Sequence, residues 1–162
     1  MIDKVSKETY EEVRRLTINN PFGDRILYLL KNQKIAKEPV LNLHGKTSPP
    51  NCIGTALWVA GVSKLDYPYH AYEDELNEHM IDEDDNRDEL IKALRSNPKN
   101  KILGAFCFSY SVEADWHAGI YLGRIKEQDF LFSQNGHGKP FVIGTSLCFA
   151  NPRYFIPRTL KK

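Results

Sequence analysis

Cysteine is scarce in this chain. Three in 162 residues (Cys52, Cys107 and Cys148) are too few and too scattered for a disulfide framework or a zinc knuckle, so reduced thiols are expected. No apolar run approaches the length that spans a bilayer. The opening stretch MIDKVSKETYEEVRR is charged throughout and lacks a secretory-signal core. A cytoplasmic location is therefore expected, unless a signal-independent secretion system exports the protein. Internal repeats, low-complexity tracts and linkers are also missing, so a single domain is expected over 1–162. Neither sign of charge dominates, the formal net charge being +1. Residues 73–89 hold ten acidic residues against one arginine, net −9, which leaves +10 for the remainder. That positive charge is dispersed and has no interleaved aromatic stripe, so neither nucleic acid nor membrane is expected as a partner.

What is present is a globular composition, 41% hydrophobic and 27% charged, with enough chain for a sizeable core. Helical patterns come first. In SKETYEEVRRLTI, Thr9 and Glu12 have the spacing of a capping box ahead of Val13 and Leu16. PFGDRILYLLKNQ places Phe22, Ile26, Leu29 and Leu30 at helical spacing. These N-terminal helices occupy 1–45, and a polar loop over 42–51 leads to a helix expected from Cys52 to about Val62. YHAYEDELNEHM and NRDELIKALRS read as two more helices around the acidic turn IDEDD. The texture then changes to KILGAFCFSY, HAGIYLG, DFLFSQ, PFVIGT and RYFIP, short aromatic or β-branched runs divided by glycine, proline and charge. Such runs predict antiparallel strands, and helices followed by strands predict an α+β domain.

The stretch SPPNCIGTALWVAG puts Cys52 at a helix start. Asn51 is a preferred N-cap, and Pro49 and Pro50 keep the approach out of the helix. Ile53, Ala56, Leu57, Ala60 and Gly61 form a stripe to be buried, and the small Gly54, Thr55 and Ala56 admit a close neighbour. A thiol in the first turn meets free N–H groups and the positive end of the helix dipole, which favour thiolate and would hold an oxyanion. A buried structural thiol is the competing reading of any lone cysteine. Cys107 and Cys148, inside apolar runs, read as inert core thiols.

A nucleophilic thiol needs a base, and ADWHAGIYLG offers His117 at the mouth of a strand. By strand alternation His117 shares a face with Gly119 and Tyr121, opposite Ala118, Ile120 and Leu122. If Gly123 and Asp129 close the loop to the next strand, antiparallel pairs sum to 252 and His117 faces Asn135. A slip of two residues would bring Ser133 or His137 instead. Asn135 has the chemistry to accept the imidazole N–H and fix its tautomer, the third role of a catalytic triad, although NGHG is also turn chemistry.

NCIGTALWVAG, HAGIYLG and FLFSQNG together resemble the papain-like cysteine hydrolases. The strand HAGIYLG is closest to those of NlpC-type cell-wall peptidases and CHAP amidases. The resemblance covers about 48–145. It implies a papain-like fold whose central helix carries the cysteine, with N-terminal helices packed on a C-terminal antiparallel sheet. It also implies Cys52 as nucleophile, His117 as general base and Asn135 as orienting residue, acting without cofactor or metal on a peptide or amide. The implied substrate is peptidoglycan stem peptide, with cytosolic deamidase, isopeptidase or acyltransferase activity, or a non-catalytic binding module, as alternatives. NlpC-type enzymes usually carry an aspartate before the cysteine, where this chain has Asn51. The second oxyanion donor is expected from His44 or Asn42.

Other motifs are set aside. Asp82, Asp84 and Asn86 match the start of an EF-hand loop, but Arg87 stands where glycine is required and Ala93 where the bidentate glutamate belongs. Glu75 with His79, or His70 with Glu73 and Asp74, have metal-ligand spacing that solvated helix faces share. GHGKP lacks the spacing of a phosphate loop.

Overall fold

The structure is a computed structural model describing residues 6–72, 74–76, 102–109, 117–145 and 153–157. Its first helix, α1 (Lys7–Asn19), begins one turn earlier than the capping-box spacing suggests. Ser6 is the N-cap, and its hydroxyl oxygen accepts the Thr9 N–H at 3.2 Å. Val13 and Thr17 are buried, and Leu16 packs against the same core. In α2 (Gly23–Lys31) the buried positions are Ile26 and Leu29, flanked by Phe22 and Leu30, as the spacing predicts. A 3-10 turn follows at Gln33–Lys37.

The expected loop over 42–51 contains a small hairpin. β1 (Val40–Leu41) pairs antiparallel with β2 (Thr47–Ser48), and the Asn42 side-chain oxygen closes it by accepting the N–H groups of His44 and Lys46. Two residues per strand are too few to register as a periodic pattern.

α3 (Cys52–Val59) starts where the sequence places it and ends sooner. Gly61, at φ +71°, turns the chain out of the helix, with Gly61 N–H bonded to Trp58 C=O and Val62 N–H to Leu57 C=O. This is a Schellman stop, and Gly61 is its left-handed residue rather than the last member of an apolar stripe. The helix is buried nearly all round: Cys52 through Leu57 and Val59 are inside, and only Trp58 is partly exposed.

Of the two helices expected from YHAYEDELNEHM and NRDELIKALRS, only residues 69–72 and 74–76 are described. There Asp74, Glu75 and Leu76 are helical and 69–72 are not. The second helix, the acidic turn and Cys148 lie outside the described residues.

The strands form one antiparallel five-stranded sheet in the order β6-β5-β4-β3-β7: β3 (Phe106–Ser109), β4 (His117–Ile125), β5 (Gln128–Gln134), β6 (Phe141–Thr145) and β7 (Arg153–Phe155). The chain is thus a mixed helix-and-strand protein with its helices mainly before its strands. One sheet face, carrying Phe106, Phe108, Ala118, Ile120, Phe130, Phe132 and Phe141, packs with α1, α2 and α3 into the main core. Ala105, Cys107, Tyr121, Leu131 and Tyr154 form a second cluster on alternating positions, hence on the other face. The edge strand β6 is capped by a side chain: Gln33 donates to Phe141 C=O and accepts Phe141 N–H, each at 2.8 Å. That amide satisfies a backbone position that would otherwise be an open sheet edge.

The β4–β5 connection corrects the expected one. Both strands run past Gly123 and Asp129 to a two-residue turn, Lys126–Glu127, with φ 47° and 66°. Two positive φ values are the signature of a type I′ hairpin. A bulge at Leu122 then shifts the pairing, so that Gly123 faces Phe130 whereas Tyr121 faces Leu131. The bulge has a packing reason. Unbroken alternation would send Arg124 into the core, whereas the extra residue turns Ile125 inward and leaves Arg124 exposed.

Candidate active site

α3 meets the sheet at the end where β4 begins and β5 finishes. The tie is a buried hydrogen bond, Thr55 Oγ1 to Gln134 Oε1, at 2.8 Å. The Gln134 amide also donates to Ala36 C=O and Lys139 C=O, so one fully buried side chain joins helix, 3-10 turn and the β5–β6 loop. That loop returns to the helix approach, where Gly138 N–H donates to Pro50 C=O at 3.2 Å.

Cys52 occupies the first residue of α3, 6% exposed and part of the main core cluster. Its cap is more than a cap. The Asn51 side-chain oxygen accepts both Gly54 N–H and Ala71 N–H at 3.0 Å, while its Nδ2 donates to Ala71 C=O at 2.7 Å. Aspartate would keep the accepting half and lose the donating half, which supplies a physical reason for asparagine here. The clamp holds the chain at 69–71 against the first turn of α3. A Cβ on Gly54 would lie 1.6 Å from Tyr69 C=O, so glycine is what permits the approach.

His117 opens β4 and pairs with Ser109 of β3. On the β5 side, pairs from Tyr121 to Gly119 sum to 252, which continues to Asn135 just past the last strand residue. The two side chains are hydrogen-bonded. Burial pushes the His117 imidazole below its ordinary value of 6.5, and the hydrogen bond with Asn135 opposes that push. The opposing sign is what an amide oxygen accepting the imidazole N–H produces, since it stabilises the charged ring. Ser133 donates its hydroxyl to the same Asn135 oxygen at 3.2 Å. His137 is carried away by the turn, and its ring faces His70 at 5.2 Å between centroids.

The histidine and asparagine expected to cooperate are therefore in direct contact. The cysteine is brought to the same sheet end by the Thr55–Gln134 and Pro50–Gly138 bonds. Because α3 packs on the Ala118–Ile120 face and His117 alternates to the other, any meeting of the sulfur and the ring takes place around the open end of β4.

Three rings from before and after α3 border this corner: His44, expected as an oxyanion donor, His70, set aside as a metal candidate, and Tyr72, which the sequence did not single out. His44 and Tyr72 are 4.3 Å apart, His70 and Tyr72 5.1 Å, both edge-on. His70 is held below 6.5 by burial and by the nearby His137, with Glu75 opposing. Of the expected oxyanion donors, Asn42 commits its side-chain oxygen to the hairpin while its Nδ2 is buried without a hydrogen-bond partner, and His44 lies 4.0 Å from the Glu75 carboxylate. His44, Asp74 and Glu75 offer donor atoms within 4.8 Å of one another. Glu75, however, already accepts Tyr69 OH at 2.9 Å and Tyr72 N–H at 2.8 Å, which accounts for its burial without a cation. The expected pairing of Glu75 with His79 lies outside the described residues.

Cys107 is fully buried in the second cluster, with Tyr121 and Tyr154 as neighbours. Tyr154 hydrogen-bonds to it, and burial is the main cause that raises the Tyr154 phenol well above its ordinary range. Tyr121 OH donates to Asp129 at 2.8 Å.

Among the described residues no helix is long and apolar enough to cross a membrane. Comparisons with protein-family models, with curated proteins and with solved structures find no match.

Proposed function

We propose that the chain is a papain-like, thiol-dependent hydrolase of amide or peptide bonds, with Cys52 as nucleophile, His117 as general base and Asn135 as the residue that orients it. The observation that carries this reading is the hydrogen-bonded His117–Asn135 pair, standing at the same sheet end as the capped first turn of α3. A histidine oriented by an amide that accepts one of its N–H groups is the arrangement a thiol needs beside it.

The depressed pKa of His117 favours a neutral imidazole at rest, which supports proton abstraction from Cys52 during attack rather than a standing ion pair. The sulfur adds to the carbonyl carbon, and the Cys52 backbone N–H donates to the oxyanion. His117 passes the proton to the departing nitrogen, and water then frees the acyl group. Resemblance of HAGIYLG to cell-wall peptidases makes peptidoglycan stem peptide the first substrate to test. Purified peptidoglycan incubated with the protein should yield new amino termini, and Cys52→Ala should yield none. Periplasmic expression should lyse bacteria where cytoplasmic expression does not. Intact wall material and survival in both compartments would remove the wall substrate.

The burial of Cys52 favours a second reading, a binding module of the same architecture in which the cysteine is core packing. It predicts a thiol whose reactivity is indifferent to His117.

A further inference from the structure

Among the described residues, Nδ1 of His70 is buried and has no hydrogen-bond partner. A buried polar atom without a hydrogen bond is costly, and each one in a native protein calls for an explanation, a catalytic role among them. The place of this one is fixed. His70 precedes Ala71, which Asn51 grips at both its N–H and its C=O, and follows Tyr69, whose carbonyl rests against Gly54. The imidazole is thus mounted on a segment locked to the first turn of the helix that begins with Cys52. The His137 ring, 5.2 Å away, buttresses it from the turn that follows Asn135.

We propose that His70 is the second donor to the oxyanion, its Nδ1–H acting with the Cys52 backbone N–H. This rests on the hydrolase reading above. Burial and His137 keep the ring neutral near neutral pH, so that its Nδ1–H tautomer offers one fixed donor and no free charge. Nδ1 and the sulfur are both buried, so a carbonyl that reaches the sulfur has to enter at the first turn of α3, against which the 69–71 segment carrying His70 is held. As the sulfur adds to carbon, the C=O π pair moves onto oxygen, and both N–H groups donate to it without surrendering their protons. When the double bond re-forms, the C–N bond breaks and the nitrogen leaves with the proton His117 took from Cys52. Asn42 Nδ2 is also buried and unpartnered, but it sits within the β1–β2 hairpin, with no such tie to α3.

The test separates oxyanion support from thiol reactivity. p-Nitrophenyl acetate acylates a thiol through a tetrahedral oxyanion, whereas iodoacetamide alkylates it without one. Both reactions would be followed at Cys52 in wild type, His70→Ala and His70→Asn, with Cys52→Ala as the blank. Asparagine places an amide nitrogen where Nδ1 stood. His70→Ala should lower the acylation rate about 10²-fold, His70→Asn should recover it to within about tenfold, and alkylation should stay within about twofold of wild type throughout. The inference is overturned if His70→Ala acylates at the wild-type rate, slows both reagents equally, or is matched by a folded His70→Asn with wild-type thermal midpoint. Wild type that alkylates rapidly but is not acylated also overturns it, while leaving the nucleophile in place. A wild-type Cys52 inert to both reagents removes the hydrolase reading, and this inference with it.

Discussion

Thr55, one turn into α3, donates its hydroxyl to the side-chain oxygen of Gln134, the last residue of β5, at 2.8 Å and fully inside the protein. This bond sets the height of the Cys52 helix above the sheet end that carries His117 and Asn135. Thr55→Val keeps the shape and strands the Gln134 oxygen, which should cost about 1–3 kcal/mol. Urea unfolding measures it. Thr55→Ser, which keeps the hydroxyl, should lose less.

Asn51→Ala should be worse than an ordinary cap deletion. The cap alone is worth about 0.5–2 kcal/mol, and the two bonds to Ala71 are lost with it. Asn51→Asp keeps the accepting oxygen for Gly54 and Ala71 but sets a carboxylate oxygen against Ala71 C=O. Its midpoint in thermal unfolding should fall between wild type and Asn51→Ala.

Gly54→Ala should be among the most damaging single-methyl changes in the chain. A methyl 1.6 Å from Tyr69 C=O cannot be accommodated unless the 69–71 segment leaves the helix. Loss of soluble protein, or destabilisation above about 3 kcal/mol, is expected in an expression and unfolding assay. Full retention of stability would show that Tyr69 does not rest against Gly54.

Acid should destabilise the fold through its histidines. His117 and His70 are both held below 6.5, so the unfolded chain binds more protons than the folded one once pH falls toward 6.5. Stability therefore rises with pH across that window, and is lost progressively from 6.5 down through the folded values. The urea midpoint should be lower at about pH 5 than at about pH 7, since the ordinary histidine value lies between them. His117→Gln should flatten the slope. Asn135→Ala, which removes the bond that favours the charged ring, should lower the His117 pKa further in an NMR titration.

Much of this arrangement was legible because it rests on local periodicity. Each of the five strands in the sheet overlaps one of the runs HAGIYLG and its companions, β4 and β5 extending past theirs, because alternating aromatic and β-branched residues are a direct imprint of a two-faced sheet. The facing of His117 and Asn135 was also legible, although the connection closes at Lys126–Glu127 rather than at Gly123 and Asp129. The bulge at Leu122 lengthens β4 while the Lys126–Glu127 turn shortens the connection, and the two changes cancel at the His117 end. Neither leaves a sequence mark, since lysine and glutamate are not the usual residues at positive φ. The Schellman stop did leave one, in Gly61. What stayed hidden was long-range amide chemistry. Asn51 grips Ala71, Gln33 caps Phe141 and Gln134 gathers three segments. A side-chain amide that mimics a strand partner looks, in sequence, like any surface asparagine or glutamine. For the same reason the run YHAYEDELNEHM reads as a helix from its start, whereas 69–72 are not helical and are held to the first turn of α3 through Ala71.

The rate of Cys52 carboxamidomethylation against pH, in wild type and in His117→Ala, tests the central claim most directly. A catalytic pair predicts a midpoint below the ordinary thiol value of about 8.5, together with a fall of at least about tenfold at neutral pH when the imidazole is removed. A slow reaction, indifferent to the substitution and accelerated only by unfolding, would make Cys52 a core thiol and contradict the account.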